Sequence, residues 1–389
     1  MSSGSSDIGF GIAIDASGNS YVTGNFSLTA TFGAGEANQT QLSAPLGGST
    51  DFFIAKYNAN GLLQWARRAG QFNNDRGLAV AVDAVGSSYV TGVFLGVVIF
   101  GEGQPNQTSL TGDFNEDVFI AKYDTNGFLQ WAKRAIGGSN DSGQGIAVDG
   151  AGNVYLTGFG QGTTFGPGEL NETSLGFNGV EDIFVAKFDA RGLFRWVKLI
   201  GGTGTDKGLG IAVNNSGIYA TGQFAGANVI FGQGEVNQTA LTSAGAADVF
   251  VAKFAHCRAA VDFDGDCKSD VGIYRDGLWP ILGMADGLIV EGLGGSTHIP
   301  VPADYDGDGK ADVAVYLNGT CSIKRSSDGG NTIVGHGGPT WTPVPADFDG
   351  DGRVDITVYL NGAWSIVQSV DGSIAVVGHG GAPQDVPLN

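Results

Sequence analysis

Gly11-Ile-Ala-Ile-Asp15, followed closely by Tyr21-Val-Thr-Gly-Asn-Phe26, is the stretch that determines the fold, because both segments return three more times. The last residue of the first segment recurs with steps of 68, 66 and 65 residues, at Asp15, Asp83, Asp149 and Asn214. Two further segments complete each unit, Phe53-Ile-Ala-Lys-Tyr57 and Leu63-Gln-Trp65, and the second of these is missing from the fourth unit. Each segment alternates as a short strand does. We therefore predict a four-stranded antiparallel sheet per unit.

One such sheet cannot bury both of its faces, whereas copies packed face to face around an axis can. The composition agrees with many short strands joined by tight turns, since 67 of 389 residues are glycine and only 15% are charged. We predict an all-β β-propeller whose four long blades have about 66 residues each. The small residues of the Gly-Ile-Ala-Val-Asp strand suit the crowded centre, and the tryptophan-bearing strand suits the wider rim.

The last third of the chain carries a second repeat, a nine-residue acidic loop. Asp304-Tyr-Asp-Gly-Asp-Gly-Lys-Ala-Asp312 has aspartates at loop positions 1, 3, 5 and 9, and two other loops share this spacing. The twelve carboxylates are Asp262, Asp264, Asp266, Asp270, Asp304, Asp306, Asp308, Asp312, Asp347, Asp349, Asp351 and Asp355. The loops begin 42 and 43 residues apart, so three shorter units of about 43 residues are predicted, each with four short strands. In the second of these three shorter repeats, we expect the first strand at residues 301–305.

Clustered carboxylates repel one another unless a cation neutralises them, and Ca²⁺ takes six to eight oxygen ligands. We therefore predict up to three Ca²⁺ ions. The residues at loop position 7, Lys268, Lys310 and Arg353, would add backbone carbonyl oxygens. The alternative is a solvated acidic turn. The loop lacks the glutamate and the helices of an EF-hand. The first loop has Cys267 in place of a glycine, and a disulfide between Cys257 and Cys267 would stiffen it.

Four long and three short units make seven blades, which fits one closed ring, and two partial rings are the alternative. Residues 11–256 resemble the bacterial β-propeller repeat of the SBBP type. Residues 257–389 are similar to the FG-GAP or VCBS repeats of secreted bacterial proteins and integrin alpha chains. That resemblance implies blades that hold calcium in acidic loops, and roles in adhesion, scaffolding or carbohydrate binding. The expected domains are residues 1–256 and 257–389, both within one propeller.

The net charge and the motifs of the sequence narrow the range of expected functions. A net charge of -19 and a pI near 4.3 argue against nucleic acid as a partner. No apolar run approaches the roughly 20 residues of a membrane helix, so we expect no membrane insertion. No nucleophile elbow, His-Glu-x-x-His or phosphate-binding motif occurs, and no residue set breaks the repeat, so we expect no enzyme.

Two sets of polar residues recur at one place in each long unit. Asn-x-Thr sequons predict N-glycosylation of an exposed loop, with turn capping as the alternative; they begin at Asn38, Asn106, Asn171 and Asn237. Lysines are expected to extend along blade edges or to pair with the aspartate five residues earlier; they are Lys56, Lys122, Lys187 and Lys253.

The sequence as a whole predicts a secreted or cell-surface structural or adhesive module whose partners are other proteins or surface glycans. One alternative is a self-assembling fibre subunit joined by strand complementation between chains. A carbohydrate-binding lectin is another. No signal peptide is visible, so we expect either that one was removed or that the chain is a fragment.

Overall fold

A computed structural model describes residues 7–45, 49–214, 217–233, 238–254, 261–266, 268–283, 286–349, 352–380 and 387. Within these residues every regular element is a β-strand, which confirms the all-β prediction. No helix long and apolar enough to cross a membrane occurs in them. The chain divides into two compact units, Met1–Phe254 and Ala255–Asn389.

The described residues of the first unit form 21 strands. They are β1 (Ile8–Ile14), β2 (Ser20–Ser27), β3 (Thr29–Phe32), β4 (Thr40–Ser43), β5 (Thr50–Tyr57), β6 (Leu63–Ala69), β7 (Arg76–Val82), β8 (Ser88–Phe100), β9 (Thr108–Tyr123), β10 (Leu129–Ile136), β11 (Ser142–Val148), β12 (Val154–Gly160), β13 (Thr164–Phe165), β14 (Thr173–Ser174), β15 (Asp182–Phe188), β16 (Phe194–Ile200), β17 (Lys207–Asn214), β18 (Gly217–Phe224), β19 (Val229–Phe231), β20 (Thr239–Leu241) and β21 (Asp248–Phe254).

These strands form four main antiparallel sheets, which we call blades 1 to 4. Blade 1 has the order β1-β2-β5-β6 and blade 3 the order β11-β12-β15-β16, as predicted. Blade 2, β7-β8-β9-β10, gains β13 and β14 on its outer edge and so lies in a six-stranded sheet. Blade 4 is β17-β18-β21 and has three strands, in line with its missing fourth segment. Two further hairpins, β3-β4 and β19-β20, each form a separate two-stranded sheet.

Small residues let the first strands of neighbouring blades approach closely. A Cβ atom added at Gly11 would lie 3.1 Å from the Cα of Ala79, and one added at Gly145 would lie 3.2 Å from the Cα of Gly210. A larger residue would push these strands apart. The Gly-Ile-Ala-Val-Asp segment therefore packs where the sequence places it, on the crowded side of the blades.

The core of the first unit lies between adjacent blades. Phe52 of blade 1 packs against Phe119 and Phe100 of blade 2, at ring-centroid distances of 5.2 and 5.9 Å, and all three rings are fully buried. Polar contacts cross the same junction, because the Tyr21 hydroxyl donates to the Gly86 carbonyl at 2.9 Å. Each blade thus covers a face of the next, as propeller repeats require.

The second unit contains β22 (Val271–Gly272), β23 (Leu278–Gly283), β24 (Gly287–Gly292), β25 (Ile299–Pro300), β26 (Val313–Leu317), β27 (Thr320–Lys324), β28 (Asn331–Gly335), β29 (Thr342–Pro343), β30 (Ile356–Leu360), β31 (Ala363–Val367) and β32 (Ile374–Gly378). They form sheets β22-β23-β24, β25-β26-β27-β28 and β29-β30-β31-β32. The predicted closure of seven sheets into one ring stays a prediction.

One strand prediction in the second unit is wrong. A strand was expected over residues 301–305, whereas β25 covers Ile299–Pro300 and only an isolated bridge links Ala303 to Asp312. The reason is the acidic loop, since the Tyr305 backbone N–H donates to the Asp312 carboxylate at 3.0 Å. The chain therefore turns into the loop before a longer strand can pair.

Candidate metal centres of the second unit

Three clusters of carboxylates form where the sequence predicts metal sites. In each cluster three aspartates offer oxygens that all lie within 4.8 Å of one another; the triplets are Asp262, Asp264 and Asp270, then Asp304, Asp306 and Asp308, and finally Asp347, Asp349 and Asp355. Asp266 and Asp312 belong to the same loops but not to these triplets. Asp351 lies outside the described residues. The structure thus brings together nine of the twelve predicted ligands.

The second loop shows how nine residues fold around their own carboxylates. Asp304 accepts hydrogen bonds from the backbone N–H groups of Gly307 at 2.6 Å and Gly309 at 2.9 Å. Asp306 accepts from the Asp308 N–H at 3.1 Å. Both glycines have positive φ, 82° and 84°, a conformation that other residues avoid. The glycines therefore allow the tight turn that aims the carboxylates inward.

The last aspartate of each loop has a role that the sequence did not predict. Asp312 accepts from the Tyr305 N–H with one oxygen and from the Ser326 N–H with the other, at 3.0 and 2.7 Å. Asp355 does the same with Phe348 and Ser369, at 2.8 and 2.7 Å. Each of these two carboxylates therefore links its own loop to the turn that follows β27 or β31.

The second loop is electrostatically costly when no cation neutralises it. Burial, reinforced by the neighbouring carboxylate of Asp308, raises the pKa of Asp304 to about 7. Burial together with Asp306 raises the pKa of Asp312 to about 8 and that of Asp308 to about 6. A carboxyl with so high a pKa is stabilised either by a proton or by a cation. Because the ligand atoms are all oxygens, the set fits a hard divalent ion.

Successive loops of the second unit are joined to one another. The Ala311 N–H donates to the Asp262 carbonyl at 2.6 Å, and the Val354 N–H donates to the Asp304 carbonyl at 2.8 Å. The side chain of Lys310 packs against Gly265 of the preceding loop, where an added Cβ would lie 3.0 Å from its Cε. The predicted carbonyl ligands at Lys268, Lys310 and Arg353 stay predictions.

The structure tests neither the predicted disulfide nor the predicted glycans. Cys257, Cys267 and the sequon residue Asn237 lie outside the described residues. Cys321 is a buried free thiol. The amides of Asn38 and Asn106 donate to the carbonyls of Leu63 and Leu129, both at 3.1 Å, and Asn171 donates likewise to Phe194. These amides tie the sequon loop to the rim strand, and glycosylation stays a prediction.

A cavity of about 330 Å³ lies between blades 1 and 2, and the sequence analysis missed it. The residues that line this cavity differ from their counterparts in the other repeats. This is contrary to the expectation that no set of residues breaks the repeat. Aligning the units would have shown the signal, because Gln104 stands where the other described units have Glu36 and Glu169. The lining residues are Arg67, Arg68, Gly101, Glu102, Gln104 and Tyr123.

Comparison with known proteins supports the repeat type. Residues 130–166 match the family model described as SBBP, beta-propeller repeat. An uncharacterized WD repeat-containing protein of Acanthamoeba polyphaga mimivirus is 27% identical over 40% of this chain and 12% of its own length. The regulatory protein FlaEY of Caulobacter vibrioides is 29% identical over 37% of this chain and 14% of its own length. The chain thus spans only a small part of either relative.

Solved structures give a weaker likeness. The extracellular domain of a one component system from B. thetaiotaomicron is 13% identical, with a TM-score of 0.18 over 94% of this chain and 60% of that one. A protein described as a 6-phosphogluconolactonase of Bacteroides fragilis is 11% identical, with a TM-score of 0.18 over 75% of this chain and 82% of that one. The fold assignment therefore relies on the strands and on the matched repeat. By these two observations, the described residues form an all-β protein that contains a β-propeller repeat at residues 130–166.

Proposed function

We propose that this chain is a non-enzymatic, calcium-binding β-propeller module that serves a structural or adhesive role in a secreted or cell-surface protein. The observation that carries this proposal is the recurrence of the carboxylate triplets in three successive loops. A single triplet could be a solvated turn. Three triplets at one place in successive repeats, built by the same hydrogen bonds, favour a site.

The ligand chemistry favours Ca²⁺ over other common ions. Among the residues that the structure describes, no histidine or cysteine joins the triplets, so zinc and copper are poor candidates. Ca²⁺ accepts carboxylate and carbonyl oxygens in a flexible geometry, whereas Mg²⁺ demands a near-ideal octahedron and retains several waters. Extracellular calcium modules work at affinities of about 10⁻⁴ to 10⁻³ M. A partly exposed loop such as that of Asp304 and Asp306 suits this range and an extracellular setting.

A calcium titration of the chelator-treated full chain tests this proposal. Isothermal calorimetry should show up to three bound Ca²⁺, and Asp304→Asn should remove one of them because it weakens the second triplet. Asp371→Asn is the matched control, since Asp371 is an exposed acid of the same unit that accepts hydrogen bonds from Ser373 and belongs to no triplet. If the chain binds no Ca²⁺, or if both variants bind as the parent does, the calcium assignment fails.

A structural role, as opposed to catalysis, is supported by the repetition of the site itself. Catalysis needs acid, base or nucleophile groups that converge on one place. Here carboxylates at loop positions 1 and 3 recur in every triplet, and hydrogen bonds to the loop aspartates hold the turns together. Such a rigid module could present its outer loops to other proteins or to surface glycans.

Self-assembly is a second candidate, favoured by the two ends of the first unit. Ile12 of β1 and Val251 of β21 are 67% and 77% exposed. The corresponding residues of the inner blades are buried, at 7% for Ile146 and 0% for Val185. Within the described residues β21 also pairs with β18 alone, so its other edge is open. A contact from β21 of one chain to β1 of another would bury both faces, and it need not close into a ring.

Sedimentation velocity over a range of protein concentrations tests this second candidate. We expect large assemblies that Val251→Glu and Ile12→Glu each abolish, because either charge would be buried in the contact. Val370→Glu, which changes an exposed residue of the second unit, is the control and should leave assembly unchanged. A chain that sediments only as a monomer would rule the candidate out.

A further inference from the structure

Three residues that meet between blades 1 and 2 differ in chemistry from their counterparts between blades 2 and 3. The counterparts are Lys133 of β10, Glu169 of the β13-β14 loop and Phe188 at the end of β15. Lys133 donates to the Glu169 carboxylate at 2.7 Å, and Phe188 is fully buried. That junction is therefore closed by its own ion pair and an apolar ring.

At the junction of blades 1 and 2 the same positions hold Arg67, Gln104 and Tyr123. The backbone contact at Gln104 is unchanged, since its Oε1 accepts from the Leu129 N–H at 2.7 Å, just as Glu169 accepts from Phe194 at 2.8 Å. Gln104 thus keeps the structural role of the glutamate but lacks its charge. The amide Nε2 takes the place of the carboxylate oxygen that meets the lysine in the next junction.

Arg67 is left without a carboxylate partner among the described residues. Its guanidinium donates to the carbonyls of Gly127, Ala66 and Asn126, at 2.8, 2.9 and 3.2 Å. These bonds use three of the five N–H groups of a guanidinium. The adjacent Arg68, by contrast, is paired with two carboxylates, at 2.7 and 2.6 Å. Burial lowers the pKa of Arg67, so its charge lacks the solvation that water would provide.

Tyr123 adds an unsatisfied donor to the same place. Its ring is fully buried, and its hydroxyl has no hydrogen-bond partner. Phe188 and Phe254 occupy this position in blades 3 and 4, so the hydroxyl is not needed for packing. Buried hydroxyl groups normally have a partner, and an orphan one points to a missing acceptor.

These groups surround the cavity of about 330 Å³ between blades 1 and 2. We propose that this cavity binds the carboxylate group of a small ligand, which takes the place of the missing glutamate side chain. Arg67, the Gln104 amide and the Tyr123 hydroxyl would donate to its oxygens. The volume lies at the lower end of the range for ligand pockets and would hold a small organic acid.

The chemistry favours a monoanion. The Arg67 guanidinium forms no salt bridge among the described residues, although Asp124 is near enough to raise its pKa, and planar carboxylates match its N–H fork. Glu102 also lines the cavity and would repel a dianion such as phosphate. A free acid and the C-terminus of a peptide share this carboxylate, so the test must separate them.

Saturation-transfer NMR on the calcium-loaded full chain provides this test. The probes are sodium acetate, sodium glucuronate, and glycylglycine with a free or an amidated C-terminus, all at constant ionic strength. We expect magnetisation transfer to at least one of the carboxylate probes. We expect none to amidated glycylglycine, and none to acetamide, which serves as the uncharged control for acetate. Preference for glucuronate or acetate identifies a free acid, and preference for free glycylglycine identifies a peptide end. If no carboxylate probe binds, the proposal is overturned.

Gln104→Glu is the decisive variant, because it supplies the carboxylate from within the chain. Glutamate already occupies this position in the first and third repeats, as Glu36 and Glu169, so the variant should fold. An unchanged melting temperature checks this. We expect it to bind the probe at least roughly ten-fold more weakly, and Tyr123→Phe to bind it more weakly than the parent. Glu169→Gln is the matched control and should leave affinity unchanged. Undiminished binding by Gln104→Glu would overturn the proposal.

Discussion

The two units of this chain bury different kinds of groups. In the first unit aromatic rings fill the spaces between blades, and Phe52, Phe119 and Phe184 are each 0% exposed. In the second unit the apolar clusters are small, and aspartates lie among the most buried residues, with Asp264 and Asp312 also 0% exposed. The first unit is therefore held mainly by apolar burial between blades, whereas the second unit has small apolar clusters beside its carboxylate triplets.

This difference in composition implies a difference in what each unit needs in order to fold. An aromatic side chain buries roughly 150–250 Å², and apolar burial contributes about 25 cal/mol per Å² whether or not ions are present. Buried carboxylates stabilise a fold only when they are paired, protonated or bound to a metal. The comparison thus predicts that cations control the stability of the second unit alone.

Chelation should have the largest effect. We expect EDTA to unfold the second unit while the first unit stays folded, because the loss of Ca²⁺ leaves repelling carboxylates within each loop. Hydrogen exchange read by mass spectrometry measures both units in one full-length sample. Peptides from β26–β28 and β30–β31 should lose protection, whereas peptides from β8, β9 and β15 should keep it.

Magnesium added in place of calcium serves as the control for ionic strength. It should restore less protection than Ca²⁺ does, since Mg²⁺ binds poorly to flexible oxygen sites. Equal protection of the second unit with and without EDTA would contradict both the calcium assignment and the contrast between the units.

Removal of one aromatic ring should have the next largest effect, and it should be confined to the first unit. Phe184 packs at 5.0 Å from Phe165 and is fully buried, so Phe184→Ala should cost about 3–5 kcal/mol of unfolding free energy. Val85→Ala, at a 74% exposed position of the same unit, is the control and should cost little. Denaturant unfolding with and without Ca²⁺ should show the same loss in both conditions. A calcium-dependent loss would mean that the two units do not differ in this way.

The sequence predicted the sheets of the first unit well, because each strand carries its own alternation. The strands around Tyr21, Tyr89, Tyr155 and Tyr219 and those ending at Tyr57, Tyr123, Phe188 and Phe254 occur where expected. What it did not predict is how neighbouring repeats share strands. The β13-β14 hairpin joins blade 2 rather than blade 3, an outcome of packing between repeats that no single repeat encodes.

The candidate sites show the same limit. Nine carboxylates meet as predicted because their spacing is local, within one loop. The cavity residues Arg67 and Gln104 are 37 positions apart and meet only through the stacking of blades. Of the two alternatives for the repeated lysines, extension along a blade edge or pairing with an aspartate, Lys56 does not adopt the pairing with Asp51. Asp51 pairs with Arg68 at 2.7 Å, while the Lys56 ammonium lies 5.1 Å from the centre of the Tyr21 ring.

Buried aspartates also occur in the first unit, one pair at each junction, and they allow a finer test of the comparison. Asp75 and Asp141 are fully buried, and each has one oxygen without a hydrogen-bond partner. Burial raises the pKa of Asp75 to about 8 and that of Asp141 to about 7, with Asp51 and Asp117 adding repulsion respectively. These carboxyls belong to no described triplet, so protons and not metals should stabilise them.

The pH dependence of the first unit should therefore be the smallest of these effects and opposite in sign to that of paired carboxylates. A folded-state pKa above the unfolded value of about 3.9 means that the folded state binds more protons. The stabilisation is fully present below about pH 4 and is lost as pH rises through the folded-state pKa values of about 7 and about 8. At saturating Ca²⁺ the first unit should melt a few degrees lower at about pH 8.5 than at about pH 5.

Asp75→Asn isolates one contribution to this pH dependence. The amide oxygen can still accept from the Leu95 N–H, which donates to Asp75 at 3.2 Å, and the neutral side chain needs no proton. We expect the variant to lose part of the pH dependence and to gain stability over the parent mainly at high pH, because there the parent must either keep a proton on Asp75 or bury its charge. Asp371→Asn, an exposed acid of the second unit, should leave the profile of the first unit unchanged. If Asp75→Asn melts with the same pH dependence as the parent, the interior of the first unit does not hold protonated carboxyls, and the contrast between proton-stabilised and cation-stabilised aspartates is lost.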